Sequence, residues 1–180
     1  MSAIRKQWLD EALAYMLKNG VATVSLRPMA KELGTSPRIL MYHFKSKEGL
    51  LRAVIGELHS RLQASFVAMM AANSRVRQAS PLKQFWLWAI REENLRHWRL
   101  HYEFNVLAMQ NPAEYGRYMQ GTSLEWQKLA LAALSEPIRS TAMATLAIAV
   151  FDGLLLDMMS TGDERRLTRA LDRFISMASH

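Results

Sequence analysis

Apolar residues recur along this chain at three- and four-residue intervals, the spacing of helices with one buried face. Over residues 4–18 these are Ile4, Trp8, Ala12, Tyr15 and Met16, and Asn19-Gly20 then supplies the left-handed stop that helix ends favour. Ser25 is placed to cap a short helix through Ala30 and Leu33, with Gly34 as the next break. Ser36 caps a third helix whose first position is Pro37, where a missing N–H costs nothing, and which runs to Tyr42 or His43. Ser46 opens a long fourth helix through Leu50, Leu51, Val54, Leu58, Leu62 and Phe66, with its end expected near Asn73-Ser74.

Beyond it, Ser80-Pro81 opens an aromatic-rich helix, and Asn111-Pro112 ends the next helical stretch around Met109. Gly121 and Ser135-Glu136-Pro137 mark two further expected boundaries. The last two helices are predicted over roughly 138–160 and 163–178, separated by Thr161-Gly162. No internal repeat or low-complexity tract interrupts this order. The prediction is an all-α chain with a small N-terminal three-helix domain, residues 1–48, and a larger helical domain, residues 49–180.

Composition agrees with a helical core, since half of the residues are hydrophobic while Gly numbers 8 and Pro 5. Charge adds direction. Residues 1–52 hold nine basic and four acidic side chains, whereas the other 128 hold fourteen and twelve, so most of the net +7 lies at the N-terminal end. With no cysteine, disulfides, thiolate metal sites and cysteine nucleophiles are excluded. Asp10 and Glu11 interrupt the start where an export signal needs an apolar run, and Asp152 and Asp157 interrupt the apolar stretch 142–159. Both point to a soluble, cytoplasmic protein with no membrane span.

The second and third predicted helices are each about two turns long and meet at Gly34, which suits a helix-turn-helix whose second member enters the major groove. Ala30, Gly34 and Leu40 supply a close crossing, a turn and an apolar anchor, and Met29 and Leu33 complete the buried face. The stretch Val24–Leu51, with its run Leu40-Met41-Tyr42-His43-Phe44-Lys45-Ser46-Lys47-Glu48-Gly49-Leu50-Leu51, resembles the signature of the tetracycline-repressor (TetR) family of bacterial regulators. Met41 departs from it, standing where that family usually carries tyrosine. The resemblance implies that Ser36, Pro37, Arg38 and Ile39 face base edges and nearby phosphates, and that Tyr42, Lys45 and Lys47 hold the DNA backbone. Ser25, Arg27, Thr35 and His43 complete the candidate DNA-contacting set. A helix start with Arg38, and a capped fourth helix beside Lys45 and Lys47, offer anion-binding N–H groups and charge.

In residues 138–160 apolar side chains cover nearly the whole circumference, while the following helix sets Leu167, Leu171 and Phe174 apart from Arg165, Arg169 and Arg173. These helices suit a four-helix interface between two copies, with Leu146, Val150, Leu154, Met158, Leu167, Leu171 and Phe174 as the candidate contacts. The family resemblance implies the same two-fold dimer, and with it repression by covering a near-palindromic operator that a ligand releases by changing the separation of the reading heads. The resemblance also locates an effector pocket among the middle helices. Trp86, Trp88, His101, Tyr102, Met109, Tyr118, Trp126 and Phe151 are its candidate lining, suited to an apolar or aromatic small molecule.

Enzymatic chemistry finds little footing. Glu93, His97 and His101 repeat every four residues, but the pattern lacks the glutamate of an HExxH protease, and Arg96 and Arg99 disfavour a cation. No nucleophile elbow or phosphate-binding glycine loop is present, and no motif asks for a cofactor. Asp152 and Asp157 suit hydrogen bonding at an interface or to a ligand better than catalysis. Two rival readings stay open from the residues alone: a helical small-molecule-binding protein without DNA function, and a helical enzyme built on His97 or His101.

Overall fold

A computed structural model describes residues 2–22, 24–73 and 80–178, whose regular secondary structure is all helical, with no strand among them. The helices are α1 (Ala3–Asn19), α2 (Leu26–Glu32), α3 (Pro37–Phe44), α4 (Lys47–Asn73), α5 (Pro81–Ala89), α6 (Glu92–Gln110), α7 (Pro112–Ala133), α8 (Thr141–Thr161) and α9 (Glu164–Ala178), with a short 3₁₀ turn at Glu136–Ile138. The expected fold class, a helix-turn-helix followed by a helical domain, is what the chain adopts.

Local signals account for most of the boundaries. Gly20, at φ 76°, ends α1 with its N–H donating to the Met16 carbonyl, and Gly162, at φ 69°, ends α8 on Met158 in the same way. Ser36, Ser80 and Ser140 each accept from the backbone N–H three residues on. Ser25 occupies the N-cap position of α2 without making a side-chain cap bond. The expected end of α4 at Asn73-Ser74 agrees at Asn73, and Ser74 lies outside the described residues.

Gly121 is a correction. It lies inside α7, which continues unbroken to Ala133, because a glycine that does not enter the left-handed region costs a helix only about 1 kcal/mol and does not stop it. The break between α5 and α6 carries neither glycine nor proline. There the buried Asn94 side chain donates to the Trp88 carbonyl at 2.7 Å, satisfying an acceptor at the end of α5.

The chain forms two compact units. Residues 1–63 and 99–119 make the first, in which α1 to α3 pack with the start of α4, the second half of α6 and the start of α7. Its core includes Leu13, Met16, Met29, Leu40, Leu58 and Phe104, each buried to within a few per cent. Residues 64–98 and 120–180 make the second, in which α5, α8 and α9 pack around Trp86, Trp88, Phe151, Leu155, Leu167 and Leu171.

Candidate nucleic-acid interface and aromatic core

The helix-turn-helix is built as its sequence requires. Met29 and Ala30 on α2 and Leu40 on α3 are fully buried, so the two helices cross closely, and Leu33 is half-buried at the end of α2. Gly34 turns the chain at φ 67°, and Thr35 N–H then donates to the Ala30 carbonyl at 2.9 Å. The Thr35 hydroxyl is buried with no hydrogen-bond partner among the described residues. Ser36 receives the Ile39 N–H at 3.3 Å with Pro37 in the first turn, fixing the N-terminal end of α3.

From that start, α3 presents one continuous outer face. Arg38, Ile39, Met41, Tyr42 and Lys45 are exposed, Tyr42 at 74%, while Leu40 and Phe44 point inward. Lys45 follows α3 in a positive-φ conformation, with its Nζ donating to the Tyr42 carbonyl at 3.4 Å and lying 5.8 Å from the Tyr42 ring. Ser46 then caps α4, accepting from Gly49 N–H at 3.0 Å, beside half-buried Lys47. Glu48, in the same turn, has its carboxyl held below the ordinary range by backbone N–H and by the Ser46 hydroxyl. Ser25 and Arg27 are exposed at the start of α2, and His43 is half-buried.

Two residues outside the candidate DNA-contacting set belong here. Met41 stands on the exposed face. Arg5 of α1 donates to the His43 carbonyl at 3.2 Å and covers the Phe44 ring at 4.9 Å, holding the end of α3.

Charge pairing separates the basic residues into two groups. Lys6, Lys18 and Arg52 are joined to Asp10 and Glu57, to Glu32 and to Glu114. Among the described residues, Arg27, Lys31, Arg38, Lys45 and Lys47 form no ion pair. These cations of the helix-turn-helix are thus not held in ion pairs, although Lys47 lies within the field of the Glu48 carboxylate, and they suit a phosphate-binding face.

The expected pocket residues fall in both units. In the second, Phe85 is the centre of an aromatic cluster, 4.7 Å from Phe151, 5.5 Å from Trp88 and 6.3 Å from Trp126 between ring centroids. Trp88 donates its indole N–H to Ser65 and Trp86 donates to Thr168, while the buried Trp126 N–H has no partner among the described residues. In the first unit, His101 is buried beside Tyr102, Tyr118 is half-buried, and Met109 is 73% exposed.

His101 has a companion missed in the sequence: His59 of α4, whose Nε2 lies 2.7 Å from His101 Nδ1, with Asn105 3.1 Å from His101 Nε2 and Tyr118 stacked on His59. Burial pushes the imidazoles down, His59 to about 4 and His101 to about 3, the latter also by the neighbouring His59. His97 is engaged separately with the Glu93 carbonyl. No group of three metal-ligating side chains comes together among the described residues.

Of the expected dimer contacts, Leu146 is exposed, Val150, Leu154, Met158 and Phe174 are half-buried, and Leu167 and Leu171 are buried inside their own unit. A face of α8 running through Ala142, Leu146, Ala149, Gly153 and Leu156 is exposed. By length and composition α8 could cross a membrane, with mean hydropathy 1.8 over an 18-residue window of which 22% is buried. Asp157 on this helix is ion-paired with Arg166 at 2.9 Å.

Residues 9–54 match the family model for bacterial regulatory proteins of the tetR family. The HTH-type transcriptional regulator BetI of Rhizobium meliloti (strain 1021) is 35% identical over 74 residues, which span 41% of this chain and only 36% of that relative. The HTH-type nicotine-responsive transcriptional repressor HdnoR of Paenarthrobacter nicotinovorans is 23% identical over 95% of this chain and 91% of its own. A crystal structure of a transcriptional regulator from Rhodococcus sp. Rha1 superimposes with a TM-score of 0.77 at 20% identity, covering 97% of this chain and 95% of the other.

Proposed function

We propose that this chain, whose residues 9–54 match the tetR-family model, is a ligand-responsive transcriptional repressor of that family that binds a near-palindromic operator as a homodimer. The observation that carries this reading is the set of unpaired cations around α3, set against the internally neutralised Lys6, Lys18 and Arg52. In this reading residues 1–48 read DNA, with Ser36, Pro37, Arg38 and Ile39 toward the bases and Tyr42, Lys45 and Lys47 on phosphates. Residues 49–180 dimerise and bind the effector in the cytoplasm.

The exposed apolar face of α8 supports dimerisation. Covering it with a second copy removes apolar surface from water, and Ala149 and Gly153 let two helices approach closely. The aromatic cluster around Phe85 supports an apolar or aromatic effector, and the nicotine-responsive relative supports small-molecule control.

The test is selection of bound sequences from a random DNA pool, followed by titration of the selected site at two salt concentrations. A palindromic site bound by a dimer with steep salt dependence is expected. Arg38→Ala should weaken that site by roughly 1–3 kcal/mol and weaken random DNA less. Absence of any enriched sequence from folded protein would overturn the reading.

A further inference from the structure

We propose that Glu103, on α6, is a positioning residue for DNA reading: its carboxylate holds the corner through which α1 hands the chain to the helix-turn-helix. This inference rests on the DNA-binding function proposed above. Glu103 Oε2 accepts the Val21 N–H at 2.6 Å, a bond that joins positions 82 residues apart within the first compact unit.

The corner is shaped to make this bond. Gly20 leaves α1 with φ 76° and ψ 178°, a conformation open essentially to glycine alone, and its own N–H is used on the Met16 carbonyl. The next amide, Val21, therefore has no helical acceptor, and Glu103 supplies one. Gly20 also leaves room for it, since a Cβ there would stand 2.8 Å from Oε2 and 3.2 Å from Oε1. Val21 and Val24 are buried on either side of the turn, and the Val21 carbonyl accepts from Val24 N–H at 3.1 Å, so fixing Val21 fixes the entry to α2.

A carboxylate is an unusual choice at this place. The C-terminal end of α1 carries partial negative charge, which disfavours an anion, and the short charge-assisted bond to the amide offsets that repulsion. An amide side chain of the same length would keep an acceptor and lose the repulsion. Reach and hydrogen bonding, more than charge, are therefore what the corner needs from Glu103. Base readout by Arg38 depends on the orientation that α2 and α3 inherit from this corner, whereas phosphate attraction by Lys45 and Lys47 tolerates small rotations.

The experiment compares Glu103→Ala, Glu103→Asp and Glu103→Gln, each checked for helical circular dichroism, on the DNA site selected by the wild type and on random DNA. Ala and Asp are expected to bind the selected site about tenfold more weakly, with affinity for random DNA unchanged within twofold, because both lose the bond. Gln is expected to match or exceed the wild type. Where Glu103→Ala fails to fold, the contrast between Asp and Gln decides. Wild-type affinity in Ala and Asp, equal losses on both DNAs, or loss in Gln alongside Asp would overturn the assignment. Failure of the wild type itself to select any DNA would instead remove the function on which it rests.

Discussion

The buried pair His59–His101 makes the stability of this protein depend on pH in a calculable way. Asn105 donates to His101 Nε2 at 3.1 Å, which puts the His101 proton on Nδ1, from where it is donated to His59 Nε2 at 2.7 Å. Adding a proton at His59 Nε2 would set donor against donor and place a charge where water cannot solvate it. Burial thus holds His59 down to about 4 and His101 to about 3, against 6.5 for a free imidazole. A group with a depressed basic pKa stabilises the fold fully above its unfolded value, and that stability is lost as pH falls from there toward the folded value. At about pH 5 the pH lies some 1.5 units below the pKa of each unfolded histidine, so keeping each one neutral in the fold costs about 2 kcal/mol, and the pair about 4 kcal/mol. That is a large share of a typical 5–15 kcal/mol total, roughly enough to approach unfolding. Urea unfolding at fixed protein concentration, followed by helical circular dichroism from about pH 7.5 to about pH 5, measures it. The double variant His59→Leu/His101→Leu removes both titrating groups together, and only the change with pH is compared, so any constant packing cost cancels. The wild type should lose about 4 kcal/mol more than the variant over this interval. A difference below about 1 kcal/mol would refute the assignment of neutral, shielded imidazoles.

Three other perturbations separate stability from binding. Lys45 is the only non-glycine at positive φ among the described residues, so Lys45→Gly should relieve strain and raise denaturation stability by up to about 1 kcal/mol, yet weaken DNA binding severalfold at low salt by removing a cation. Ser36→Ala removes the acceptor for Ile39 N–H and should cost about 1 kcal/mol in thermal unfolding, with a loss of operator affinity as the start of α3 frays. Leu146→Glu/Leu156→Glu places charge on the exposed face of α8 and should give a helical monomer by sedimentation at micromolar concentration; a persistent dimer would move the interface elsewhere.

The helix-turn-helix was legible because each of its boundaries is enforced by a neighbour in sequence: Gly20, Gly34, Ser36-Pro37 and Ser46 act within four residues of where they stand. Features that depend on distant partners were not. His101 stood out in the sequence, but its partner His59 is 42 residues away on another helix, and no local pattern announces such a pair. Gly121 has the residue type of a boundary without the conformation of one, and Asn94 ends α5 by reaching back six residues to a carbonyl, without Gly or Pro.

Hydrophobic pattern has a further limit at α8 and α9, since it registers burial without naming what does the burying. Leu167 and Leu171 have the same apolar spacing as candidate contacts between copies, yet they close the core of their own unit, while Leu146 and Leu156 remain 48% exposed. Charge has the converse property. The N-terminal excess is visible in composition, but it could have been consumed in ion pairs, as it is at Lys6, Lys18 and Arg52. Within residues 1–52, only the three-dimensional pairing shows which cations stay outside ion pairs, and among the described residues these are Arg27, Lys31, Arg38, Lys45 and Lys47, on or beside the helices proposed to meet DNA.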